Sequence, residues 1–219
     1  MYSVIILAAG KGTRLNLGYN KVFYEIHQKS ILEYSVEYFL KDSSFSEVII
    51  VTTEKDQSHV KELLKGKDVK ITLGGITRQE SVYNGLKKVN NKFVMIHDGA
   101  RPFIDKNDIE KLKLTVKENP CVLGKKLKDS IAKVSFGKLK NYVNRDNYML
   151  LLTPQAFTTD KIMKAYELSL VNENSYSDDA SLYMQELQED VIILEGNENN
   201  IKLTTELDIK ILEALLWLK

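Results

Sequence analysis

The residues best suited to phosphate chemistry follow a short apolar run near the start of the chain. They are Leu7-Ala8-Ala9-Gly10-Lys11-Gly12-Thr13-Arg14-Leu15, with Lys21 a few residues later. Gly10 and Gly12 lack side chains, so their backbone N–H groups can close on phosphate oxygens. Arg14 offers a rigid fork and Lys21 a mobile point charge, and the pair suits a triphosphate. Two familiar phosphate loops do not fit. A P-loop needs Gly-Lys-Ser/Thr after four intervening residues, and a dinucleotide fingerprint needs glycine where Leu15 stands. A solvated turn that happens to carry glycines is the bland alternative; the Ala-Ala-Gly lead-in, Arg14 and Lys21 weigh against it.

Other polar groups stand where strands should end. Asp98, in His97-Asp98-Gly99-Ala100-Arg101-Pro102, could hold a magnesium ion directly or through water, or hydrogen-bond a ribose. It could equally cap a helix or pair with Arg101. His97 reads as a packed, hydrogen-bonded group before a general base. Gly74-Gly75 lets backbone approach a flat ligand, with Arg78 and Ser81 on the helix that follows. Lys202 is either a solvated strand residue or a phosphate clamp. The single cysteine, Cys121, cannot form an internal disulfide and reads as a small buried hydrophobe.

The elements that must position these groups alternate along the chain. Strand candidates are residues 4–7, 48–52, 69–73, 93–96, 191–194 and 201–203. The first two, Val-Ile-Ile-Leu and Val-Ile-Ile-Val, are unbroken, as strands buried on both faces should be. Ser30 with Glu33, and Thr77 with Glu80, form candidate capping boxes. The helices they open should bury Leu32, Val36, Phe39 and Leu40, and Val82, Leu86 and Val89. A last helix opening near Thr205 should bury Leu207, Ile211 and Leu215. Such alternation predicts an open α/β fold: a mostly parallel, Rossmann-like sheet with helices on both faces. Residues 129–143 break the rhythm as two strands around Ser135-Phe136-Gly137-Lys138, either a projecting β-hairpin arm or an ordinary edge hairpin. One domain over residues 1–219, with an arm at about 129–147, is expected.

Lys+Arg 31 against Asp+Glu 30 argues against a broad nucleic-acid-binding surface. The opening apolar run is far below the roughly 20 residues of a membrane span and lacks a signal peptide's basic lead-in. No membrane association and a reducing, cytoplasmic setting are expected.

Together these residues resemble the 2-C-methyl-D-erythritol 4-phosphate cytidylyltransferase family of isoprenoid synthesis. The shared series is Leu-Ala-Ala-Gly-x-Gly-x-Arg, Lys21, Gly-Gly-x-Thr-Arg-Gln-Glu-Ser-Val from Gly74, and His97 to Pro102. It continues through Val143-Asn144-Arg145, Thr153-Pro154-Gln155-x-Phe157, Ser177-Asp178-Asp179-Ala180-Ser181 and Asn200 to Thr204. The resemblance implies CTP as donor, a small polyol phosphate as acceptor, Mg2+, release of pyrophosphate, and a homodimer whose arms reach the partner's site. It implies that Arg14 and Lys21 stabilise the transition state, and that Ala8, Ala9, Gly10, Gly12, Gly75, Arg78, Ser81 and Asp98 bind nucleotide. Within that set Gly75 and Ser81 read the cytosine. Arg145, Thr153 and Lys202 resemble the acceptor-phosphate residues, and Ser130 matches a family threonine. Asn20 stands where the family usually has proline, Leu152 where glutamine is common, and Asn144 where aspartate is frequent.

Two rivals remain at this level. Ribitol-5-phosphate cytidylyltransferase resembles the chain through the first loop and the Arg-Pro segment, although Val-Asn-Arg-Asp is closer to the isoprenoid enzyme. A non-catalytic nucleotide-binding regulator would be free to lose Arg14 or Lys21, and both are present.

Overall fold

Unbroken β-branched runs bury both faces, and here two of them lie side by side within one sheet. The computed structural model describes residues 1–10, 15 and 17–217. Its strands are β1 (Tyr2–Leu7), β2 (Glu25–Ile26), β3 (Lys29–Ser30), β4 (Phe45–Thr52), β5 (Lys70–Leu73), β6 (Phe93–Asp98), β7 (Cys121–Lys126), β8 (Ala132–Ser135), β9 (Lys138–Tyr142), β10 (Met149–Thr158) and β11 (Ile192–Glu195). The helices are α1 (Ile31–Lys41), α2 (Gln57–Leu63), α3 (Arg78–Leu86), α4 (Lys106–Thr115), α5 (Thr159–Val171), α6 (Asp179–Leu187) and α7 (Glu206–Trp217).

Seven strands form the main sheet in the order β11-β7-β10-β6-β1-β4-β5. β1 pairs in parallel with β4 and β6, and β4 with β5. β10 runs antiparallel to β6 and β7, while β11 is parallel to β7. Alternate side chains of β1 feed opposite layers, as a strand's period of two requires. Val4 and Ile6 join residues of α1, α2, α4 and α7 on one face, and Ile5 joins α3, α5 and α6 on the other.

Ser30 closes a full capping box with Glu33 at the start of α1. At α3 the box is half made. Thr77 accepts from the Glu80 N–H, but the Glu80 carboxylate accepts from the Ile76 N–H rather than from Thr77. Three expectations are corrected. Residues 201–203 are not a strand: the Leu203 N–H bonds to the Ala100 carbonyl and no ladder forms among the described residues. β7 and β10 were not anticipated, although both lie inside the sheet. In α7 the stripe against the core is Ile209, Leu212, Leu215 and Leu216, while Leu207 is 64% exposed.

The hairpin is an arm with its own two-stranded sheet. Ser135 pairs with Lys138 across a two-residue turn in which Phe136 and Gly137 both have positive φ, 50° and 71°. That geometry matches the twist of a tight hairpin and suits glycine at the second position.

Glu47 ties the amino ends of the central strands together. It accepts from Ser3, Lys70, Asn90 and Asn91. Burial alone would raise its pKa, but Lys70, Ser3 and Asn90, Lys70 first, lower it to about 2. A depressed carboxylate contributes stability above its unfolded value and loses it as pH falls towards the folded value. Glu47→Gln should therefore cost about 2 kcal/mol at pH 7. Denaturation measured from pH 7 to pH 2 should show the gap from the parent closing below pH ~4.5.

Candidate active site

β1 leads through α1 to β4 on one side, and β6 lies on its other side. Connections therefore diverge at the carboxyl end of β1, where open α/β sheets form ligand crevices. A cavity of about 680 Å³ lies at this point. Leu7 lines it at the end of β1 with Ala9 and Gly10 just beyond, Thr53 just after β4, and Asp98 at the end of β6 with Ala100 just beyond. Gly75, Ile76, Thr77, Arg78 and Ser81 enclose it around the start of α3, and Lys21 and Lys202 complete the wall.

The α3 side is built by close approach. Ser81 is buried; its Oγ accepts from the Gly75 N–H at 3.1 Å and donates to the Thr77 carbonyl at 2.9 Å. A Cβ on Gly75 would stand 2.3 Å from Cβ of Glu80, so no larger residue fits without moving the turn. The helix start also presents its positive end to the cavity.

Charge converges on Asp98. Its Oδ2 accepts from Lys202 Nζ at 2.6 Å and lies 3.8 Å from Arg101 Nε, while Arg78 Nη2 is 3.8 Å from Oδ1. Burial would raise this carboxyl's pKa, but Arg78, Lys202 and Arg101 hold it well below the usual range. Arg78 is itself clamped by both oxygens of Asp179, at 2.9 and 2.7 Å. Burial favours its neutral form, and the Asp179 carboxylate outweighs that and raises its pKa. Asp98 is thus neither an isolated helix cap nor a partner for Arg101 alone. It is the only carboxylate among the described residues lining the cavity.

Behind it, the Asp98 N–H donates to Thr153 Oγ1, which lies 3.1 Å from His97 Nδ1, and His97 Nε2 lies 3.0 Å from the Arg101 carbonyl. The carbonyl can only accept, which assigns the proton to Nε2 and leaves Nδ1 to take the threonine hydroxyl. Burial lowers the His97 pKa to about 4. His97 is fully buried and packed, as its sequence context suggested. Lys202 reaches Asp98 because its segment is docked at three points. Arg101 donates to the Asn200 carbonyl, Asn200 Nδ2 to the Thr153 carbonyl, and the Leu203 N–H to the Ala100 carbonyl.

The structure thus gathers Ala9, Gly10, Lys21, Gly75, Arg78, Ser81, Asp98 and Lys202 around one cavity. Gly12 and Arg14 lie outside the described residues. Ala8 is buried, with its N–H bonded to the Val51 carbonyl and its own carbonyl to Asn20. Thr153 is buried beneath Asp98. Ser130 and Arg145 are exposed on the arm and do not line the cavity. The Arg145 guanidinium donates to the Lys128 carbonyl and pairs with neither Asp129 nor Asp146 among the described contacts. Sequence reasoning missed Thr53 and the part played by Asp179. The first follows β4 and was accessible to the same strand-end logic; the second is distant in sequence from Arg78.

Residues 2–217 match the family described as IspD: 2-C-methyl-D-erythritol 4-phosphate cytidylyltransferase. The chain belongs to this family. A relative of that name from Clostridioides difficile (strain 630) is 37% identical over 223 residues, spanning 99% of this chain and 94% of the relative. Another, from Halalkalibacterium halodurans, is 38% identical over 221 residues, spanning 98% and 96%. Among solved structures, 4-diphosphocytidyl-2C-methyl-D-erythritol synthase from Anaerococcus prevotii DSM 20548 superposes with a TM-score of 0.87 at 28% identity, covering 99% of this chain and 98% of that one. The 2-C-methyl-D-erythritol 4-phosphate cytidylyltransferase from Thermus thermophilus gives 0.83 at 27% identity, with 97% of each chain covered. This family member is a nucleotidyltransferase, and the family's activity is the CTP-dependent synthesis of 4-diphosphocytidyl-2C-methyl-D-erythritol for isoprenoids. No described helix is long and apolar enough to cross a membrane.

Proposed function

We propose that the cavity at the end of β1 transfers CMP from CTP to 2-C-methyl-D-erythritol 4-phosphate. The observation that carries this reading is the convergence of Arg78, Arg101 and Lys202 on Asp98, the one carboxylate among the described lining residues, in a cavity at the sheet's switch point that Lys21 also lines. An oxygen of the acceptor phosphate forms a bond to the α-phosphorus. The bond from that phosphorus to its bridging oxygen breaks, and pyrophosphate leaves with the electron pair. Two anions must meet, so catalysis consists of holding them in line and neutralising charge. Arg14, Lys21 and the amides of Ala9, Gly10 and Gly12 take the triphosphate, and Lys202 takes the acceptor phosphate.

Magnesium suits the donor set. The ion is usually held by one or two carboxylates together with substrate phosphates. Asp98 would supply one such carboxylate. When bound, the ion neutralises phosphate charge. A reducing, cytoplasmic setting is supported by the lone Cys121, which can form no internal disulfide.

Ser81 supports selection of cytosine. Its hydroxyl proton points to the Thr77 carbonyl and one lone pair takes the Gly75 N–H. What remains is an acceptor, which suits the cytosine amino group and leaves the uracil carbonyl unpaired. UTP should support a kcat/KM at least about 100-fold below that of CTP. Pyrophosphate release tests this, with CTP, UTP and ATP each offered with methylerythritol phosphate, and CTP repeated with ribitol 5-phosphate. Equal rates with UTP would remove the base-reading role, and faster turnover of ribitol phosphate would reassign the acceptor.

A homodimer joined through the arms completes the reading. Val134, Phe136, Leu139 and Tyr142 on the arm are 63%, 98%, 72% and 87% exposed. So much apolar surface on a two-stranded arm, marginal by itself, favours coverage by a second copy.

A further inference from the structure

Lys21 sits on a short 3-10 turn, Lys21–Phe23, in a long connection between β1 and α1. A single 3-10 turn has little stiffness of its own, so something must hold the lysine at the cavity wall. The residue before it is buried and fully bonded. Asn20 Nδ2 donates to the Ala8 carbonyl at 2.6 Å and to Asp56 Oδ2 at 3.2 Å, and its Oδ1 accepts from the Val22 N–H at 3.3 Å. Both amide protons and the amide oxygen are thereby used.

The two anchors come from different strands. Ala8 directly follows β1, and Asp56 follows β4, its parallel neighbour. Asp56 occupies the N-cap position of α2, yet its carboxylate makes no capping bond to that helix and turns to Asn20 instead. Its own place is set by its backbone N–H, which donates to Thr53 Oγ1. The amide thus bridges the carboxyl ends of two central strands, and Lys21 is the next residue in the chain.

We propose that Asn20 is a positioning residue for Lys21, a cross-brace from Ala8 to Asp56 that sets where the ammonium meets the phosphates. The inference rests on the reading of Lys21 as a phosphate-binding group. Asn20 touches no substrate in this role; it acts through its neighbour.

Steady-state kinetics with CTP on four single variants and two double variants tests it. Lys21→Ala alone should be slow, which checks the underlying reading. Asn20→Ala should lower kcat about 10- to 100-fold, since small misplacements of a catalytic group carry such losses. KM for CTP should stay within about threefold, because the group that binds is still present. Asn20→Pro should recover most of kcat. The Asn20 φ of −69° suits the pyrrolidine ring, which fixes the same backbone without any of the amide's bonds. Asp56→Ala removes one anchor without touching the turn and should lower kcat about two- to fivefold. In a Lys21→Ala background neither Asn20→Ala nor Asp56→Ala should slow the enzyme further.

If Lys21→Ala is as fast as the parent, the underlying reading fails. If it is slow while Asn20→Ala and Asp56→Ala keep the parent kcat, the brace is rejected. Losses of equal size in both backgrounds also reject it, because they indicate a general structural bond. Should Asn20→Ala not fold, the Asp56→Ala pair of backgrounds decides the matter alone.

Discussion

Lys21→Ala is expected to lower kcat by about 10²–10³ while changing KM for CTP far less, the loss typical of one preorganised electrostatic contact. Lys21 lines the cavity at the carboxyl end of β1, across which Arg78 and Lys202 face Asp98. Negative charge grows on the leaving pyrophosphate as the bond to the α-phosphorus breaks. A cation placed there does more for the transition state than for bound CTP, so its removal acts on the chemical step. Arg78 and Lys202 are poor substitutes. One is clamped by Asp179 and the other engaged by Asp98. Lys21 is only half-buried, so truncation opens no cavity in the core. Single-turnover and steady-state rates, read with a melting curve, make the measurement. A folded variant with the parent kcat would demote Lys21 to a surface residue.

Mixing inactive Arg145→Ala chains with inactive Lys21→Ala chains should restore activity. Arg145 is exposed at the base of the arm and does not line its own chain's cavity. Its guanidinium rests on a neighbouring carbonyl instead of an acid. An arginine so presented is available to a phosphate on another chain, which it can grip with two parallel bonds. In a two-fold dimer joined through the arms, each site would take Lys21 from one chain and Arg145 from its partner. A mixed dimer then carries both defects in one site and leaves the other intact. With random exchange and independent sites, activity should approach about a quarter of the parent's. Exchange is checked with differently tagged chains. Confirmed exchange without recovered activity would place Arg145 in the site of its own subunit.

The family, the fold class and several of the residues that line the cavity were legible in the amino-acid order. Unbroken, largely β-branched runs such as Val4-Ile5-Ile6-Leu7 fit central strands, because a half-exposed strand would alternate. Ser30 with Glu33, and the Ser135–Lys138 turn, are local devices whose bonds close within four residues, so their sequence suffices. Gly75 and Ser81 were likewise within reach, since a six-residue separation joins them.

What depended on the tertiary structure were the long-range pairings. β7 and β10 hid because Cys121-Val122-Leu123-Gly124-Lys125-Lys126 lacks a strong strand pattern and is stabilised by neighbours distant in sequence. Residues 201–203 look like a strand, but Arg101 and Ala100 hold that backbone as a strap instead. The α7 face was misjudged because several of its turns carry leucine on more than one side, and only the partner surface selects which leucine is buried. The same holds in the site. Sequence alone left Asp98 open between metal, ribose, cap and partner of Arg101. Its convergence with Lys202, Arg78 and Arg101 requires segments roughly a hundred residues apart to meet, and burial then makes their charges matter. Local bonding rules determined which residues could do the chemistry, and three-dimensional packing decided which of them share a cavity.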